Sequence, residues 1–153
     1  MSIREKISSL GLALPTAATP VAAYVPAIKS GNLIFTAGQL PVVDGKLVKQ
    51  GKVGAEVSAE DAKELAQICA LNALAAISLV ADLDQIERIV RLGGFVNCAQ
   101  GFVAIPGVIN GSSEFLLKVF GEINGKHART AVGVAELPLN APVEIELIVQ
   151  LKS

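Results

Sequence analysis

The chain has 153 residues, the length of a single domain. Thirteen Lys and Arg against fourteen Asp and Glu give a formal charge of -1, which excludes the broad cationic surface of a general nucleic-acid binder. Hydrophobic residues at 52% and charged residues at 18% exclude disorder, and a mean hydropathy of +0.55 leaves apolar surface to be buried against other subunits.

Ser2 to Leu10 is expected to form a short helix that Gly11 ends. Glu5 in the charged start and Pro15 in the following apolar stretch argue against a secretory signal. No run approaches the roughly 18 apolar residues of a membrane span. Cytoplasmic localisation is therefore expected. Leu12 to Val21, with Pro15 and Pro20, reads as an extended connection, so residues 1–21 form a lead-in and 22–153 one domain. Ala22 to Ile28 and Leu33 to Gly38 read as strands around the turn Ser30-Gly31-Asn32. Asp44-Gly45 predicts a small hairpin over Pro41 to Val48. Ser58, with Glu60 and Asp61 behind it, opens a long helix to about Ala81.

Ile86 to Asn97 reads as a strand, with Gly93-Gly94 marking a bulge or a close backbone approach. Ser112 to Gly121 carries the apolar stripe Phe115, Leu116, Val119 and Phe120 of a second helix. Asn110-Gly111 and Asn124-Gly125 read as turns. Ala128 to Ala135 and Val143 to Leu151 are the last strands. The order βββαβαββ describes an α+β sheet with two helices on one face. Cys69 and Cys98, in apolar contexts, are expected to be free thiols. Two Cys and one His cannot supply a tetrahedral zinc site from one chain, and no metal or cofactor is expected.

The last two strands carry the chemistry. If they pair as a hairpin, the register that unites their apolar faces sets Arg129 on the same side as Glu144 and Glu146, among small residues. With Ala135 opposite Glu144, Arg129 falls opposite Gln150. About six residues at about 3.3 Å each then separate Arg129 from Glu144, roughly 20 Å. One small molecule cannot touch both within one subunit, so a site using both is expected to be shared between chains.

Three stretches are then diagnostic together. They are Ser30 to Pro41 (Ser-Gly-Asn-Leu-Ile-Phe-Thr-Ala-Gly-Gln-Leu-Pro), Asn110 ahead of the second helix, and His127-Ala128-Arg129-Thr130-Ala131-Val132 running on to Val143-Glu144-Ile145-Glu146. In this order the chain resembles the RidA family, also called YjgF or L-PSP, from about Ala22 to its end. The resemblance implies a chorismate-mutase-like α+β fold, a homotrimer with clefts between subunits, and no cofactor. It implies hydrolysis of reactive 2-imino or enamine acids to 2-oxo acids and ammonia. By the same resemblance Arg129 binds the substrate carboxylate and Glu144 serves the attacking water. Tyr24, Ala37, Gly38, Asn110 and Ala131 fall at pocket positions. Two departures stand out: Ala131 replaces the usual cysteine, and Ala37 replaces the serine of Thr-Ser-Gly-Gln.

Two other functions compete. One is non-catalytic binding of a small carboxylated metabolite in the same cleft. The other is ribonuclease activity, disfavoured by the charge of -1, the single His and the lack of Trp. His127 is expected to be structural.

Overall fold

The computed structural model describes residues 1–153. Helix α1 (Ile3–Ser9) is held by a capping box: the Ser2 hydroxyl accepts from Glu5 N, and the Glu5 carboxylate accepts from Ser2 N. Ile3 and Ile7 are buried and join the main core, so this helix is part of the packed unit. Strands β1 (Ala27–Ser30) and β2 (Leu33–Thr36) follow. The predicted strand start at Ala22 is wrong. Ala22 to Val25 is a bent, exposed segment, because Pro26 interrupts the run and only the residues after it pair. The Asp44-Gly45 hairpin forms as predicted, between β3 (Val42–Val43) and β4 (Lys46–Leu47), and makes a separate two-stranded sheet.

Helix α2 (Ala59–Ile77) starts at the predicted cap, where Ser58 Oγ accepts from Asp61 N. It stops four residues short of Ala81. Its buried face is rich in alanine (Ala62, Ala66, Ala70 and Ala73), which lets neighbouring backbones come close. Strand β5 (Ile86–Asn97) matches its predicted span. Its register shifts lie near Arg88 and Arg91, not at the glycines. The close-approach reading of Gly94 is the one realised, since a Cβ there would lie 2.7 Å from Ile109 Cδ1.

Helix α3 (Ile105–Asn124) begins seven residues earlier than predicted. Pro106 sits in its first turn, where a missing N–H costs nothing, and Asn110-Gly111 is helix interior and not a turn. Gly121 (φ 80°) breaks its regular course at the predicted end. Strands β6 (Ala128–Val134) and β7 (Val143–Leu151) complete the chain.

The sheet order is β1-β2-β7-β5-β6. The expected β6–β7 hairpin does not exist. β7 lies between β2 and β5, antiparallel to both, and β6 is an edge strand parallel to β5. Helix α3 is the crossover that a parallel pair requires. The connection after β6 carries Leu139 and Asn140 in left-handed backbone (φ 58° each), a turn that throws the chain past β5. Both helices pack on one face, α2 against β7 and α3 against β5 and β6.

The register then sorts the side chains. Arg129, Leu92 and Leu147 are in one row, as are Ala131, Gly94 and Ile145, and these rows face the helices. Glu144, Phe95 and Val132 form a row on the opposite face, with Glu146, Gly93 and Thr130 beside it. No helix covers that second face, which leaves Ile28 59%, Phe35 39% and Val132 40% exposed.

Candidate functional site

Two clusters result, one on each face. The first lies under α3 at the open edge of the sheet. Arg129 Nη1 donates to Asn110 Oδ1 at 2.8 Å and to Ser113 Oγ at 3.3 Å. Asn110 and Ser113 are three residues apart, so both project from one side of α3. Ser113 Oγ also lies 2.9 Å from His127 Nε2, and His127 Nδ1 lies 2.6 Å from the Gly125 carbonyl oxygen. A carbonyl only accepts, so Nδ1 carries the proton, and Nε2 of the neutral ring accepts from the Ser113 hydroxyl. Burial lowers the His127 pKa. The Gly125 hydrogen bond opposes that shift, and the Arg129 charge adds to it. These residues line an open cleft of about 370 Å³ together with Leu117 and Lys126. No carboxylate of the same protomer lies within salt-bridge distance of Arg129.

The second cluster forms where β2 leaves β7. Pairing holds at Leu33 to Phe35 and resumes at Gln39, which exchanges two backbone hydrogen bonds with Ile145. Between them the chain bows out. Thr36 Oγ1 accepts the Leu147 N–H at 2.9 Å, doing the work of the displaced backbone, and Ala37 N turns to the Pro26 carbonyl. Gly38 is exposed, and its N–H has no acceptor within the protomer. The Glu144 carboxylate lies against this glycine. A Cβ there would come within 2.8 Å of Glu144 Cδ, so any other residue would displace the carboxylate from this position. Burial raises the Glu144 pKa, and neighbouring Glu146 raises it further. A carboxylate so placed is a stronger base than a free one.

The predicted residues therefore divide. Arg129, Asn110 and Ala131 belong to the helix-covered side; Gly38, Ala37 and Glu144 belong to the other. Arg129 and Glu144 are on opposite faces, two strands and three residues apart, about 14 Å by strand spacing. The same-face, 20 Å separation expected from a hairpin is overturned. Tyr24 is 58% exposed in the segment that Pro26 ties to Ala37, and it touches neither cluster by any hydrogen bond of its side chain. Ser113 was not among the predicted residues. Its signal was the three-residue spacing from Asn110, hidden by reading Asn110-Gly111 as a turn.

The sequence profile described as "YjgF/chorismate mutase-like, putative endoribonuclease" matches residues 4–151. The chain belongs to the YjgF/RidA family. Within the family, protein TCP17 of Trypanosoma cruzi is 38% identical over 152 residues, covering 99% of this chain and 95% of the relative. The 2-iminobutanoate/2-iminopropanoate deaminase of Escherichia coli strain K12 is 30% identical over 138 residues, covering 90% and 94%. The crystal structure of Atu1372 from Agrobacterium tumefaciens, a protein of unknown function, superposes with a TM-score of 0.89 at 42% identity, covering 99% of this chain and 94% of that one. The α+β fold is thus the family's. No helix is long and apolar enough to cross a membrane.

Proposed function

We propose that the protein hydrolyses 2-imino acids to 2-oxo acids and ammonia, in clefts where the Arg129 cluster of one subunit meets the Gly38–Glu144 cluster of the next. The observation that carries this reading is the half-buried Arg129 guanidinium, which opens on a cleft and has no carboxylate partner in its own protomer. An unpaired cation held by neutral acceptors suits an exchangeable carboxylate. The uncovered apolar face supports a homotrimer that buries Ile28, Phe35 and Val132 and brings the two clusters together.

In this reading Arg129 takes the substrate carboxylate and fixes the C=N carbon. Glu144 removes a proton from a water as its oxygen adds to that carbon, giving a tetrahedral aminoalcohol. Glu144 returns the proton to nitrogen. The C–N bond then breaks, ammonia leaves, and loss of the hydroxyl proton completes the 2-oxo acid. The iminium is already electrophilic, so positioning and one base suffice.

The decisive experiment generates 2-iminobutanoate in situ and follows ammonia release with wild type and Arg129→Ala. Acceleration by wild type that disappears in Arg129→Ala is expected. Tight 2-oxobutanoate binding without acceleration would leave only the metabolite-binding reading.

A further inference from the structure

We propose that Ser113 and His127 are positioning residues that occupy Nη1 of Arg129 and so reserve its Nε–Nη2 edge for a carboxylate held side-on. The proposal rests on the carboxylate-binding reading of Arg129 and specifies how that site recognises its ligand. The guanidinium has five N–H donors, two of them on Nη1. Both Nη1 protons are committed, to Asn110 Oδ1 and Ser113 Oγ, while Nε and Nη2 donate to nothing in the protomer. An end-on grip would need a proton from Nη1. Only the Nε–Nη2 edge retains two parallel donors for a planar two-bond clasp.

His127 supplies the direction. A serine hydroxyl has one proton and can point it either way. Gly125 O fixes the His127 tautomer through Nδ1, so Nε2 accepts the Ser113 proton. That leaves the Ser113 lone pairs facing Arg129. Without the imidazole the hydroxyl could turn to Asn110 Oδ1 and compete with Arg129 for it. The cleft contains one further charged group, Lys126, which pairs with Glu122 at 3.0 Å. No carboxylate there offers Arg129 a substitute partner.

The test uses the full-length protein at pH 7.5 with Ser113→Ala, Ser113→Thr, His127→Ala and the double Ser113→Ala/His127→Ala. Affinity for 2-oxobutanoate is measured by calorimetry and the Arg129 side-chain nitrogens by NMR. Ser113→Ala and His127→Ala should each weaken binding about tenfold, the worth of one charge-assisted hydrogen bond. The double variant should lose no more than the worse single, because the two act in series. Ser113→Thr should restore wild-type affinity. In the free protein, separate Nη1 and Nη2 resonances should merge in Ser113→Ala as the guanidinium begins to rotate. Additive losses, failure of threonine to rescue, or an Arg129 guanidinium that already rotates in wild type would each overturn the proposal. A wild type that binds no 2-oxo acid would sink the carboxylate reading alone, since the NMR arm still reports the relay.

Discussion

The Arg129 side and the Glu144 side are built on opposite principles. Around Arg129 the Asn110 Oδ1, Ser113 Oγ and both His127 ring nitrogens are tied into one hydrogen-bonded chain between α3 and an edge strand. Around Glu144 order comes from a missing side chain: Gly38 makes room, and burial together with a second carboxylate nearby raises the pKa of the acid. The first side is a holder built from neutral hydrogen-bonding groups around one cation. The second holds a carboxylate whose ionisation burial and Glu146 make costly. On the proposed function, the contrast teaches that binding and chemistry fall to separate faces of one sheet, so that neither half is competent alone.

The largest effect that would sharpen this division is on chemistry alone. Glu144→Gln is expected to cut ammonia release about 10²- to 10⁴-fold while 2-oxobutanoate affinity stays within threefold. Equal losses in rate and affinity, from steady-state kinetics and calorimetry, would show that Glu144 binds rather than reacts. Arg129→Lys should act on the other half, weakening 2-oxobutanoate binding about tenfold to a hundredfold, because an ammonium keeps the charge and loses the fork. Lysine at wild-type affinity would reduce Arg129 to a charge.

The two sides should also titrate with opposite signs. The folded pKa of His127 is below its ordinary 6.5, so its contribution to stability is full above pH 6.5 and is lost as pH falls through the folded value. The folded pKa of Glu144 is above its ordinary 4.5, so its contribution is full below pH 4.5 and is lost as pH rises through the folded value. Thermal midpoints between pH 4 and 8 should therefore fall less on acidification in His127→Gln than in wild type. Glu144→Gln should raise the midpoint at pH 7.5 and not at pH 4. The reverse pattern would refute both assignments.

The smallest effect is expected at the thiols. Burial raises the Cys69 pKa well above its ordinary range, and Glu144 adds to the shift; burial also raises that of Cys98, against the pull of Lys52. Neither thiol is primed as a nucleophile. Cys98→Ala should leave ammonia release within twofold of wild type, and a larger loss would place a third group in the reaction.

Much of this was legible in the sequence, for identifiable reasons. β5 and β7 were readable to the residue because aliphatic residues recur through each, at every odd-numbered position of β7. Partner choice was not. The short connection between β6 and β7 suggested a hairpin, and no one-dimensional pattern reveals that a leucine in left-handed backbone redirects the chain around a central strand. That single error put Arg129 on the wrong face. The start of α3 was missed because Pro106-Gly107 and Asn110-Gly111 look like punctuation, although proline is also a good first-turn residue. That Arg129 and Glu144 stand too far apart in one protomer to share a small molecule holds in both arrangements, at roughly 20 Å in a hairpin and about 14 Å in the observed sheet.

Gly111 has a consequence for the geometry of the site. It sits where α3 presses on α2, and a methyl group there would come within 2.8 Å of the Lys63 carbonyl carbon. Its neighbour Ser112 donates to the Ala66 carbonyl from the same contact. This seam fixes the rotation of α3 and hence the aim of Asn110 and Ser113. A glycine remote from the cleft thus constrains the geometry of the groups that line it.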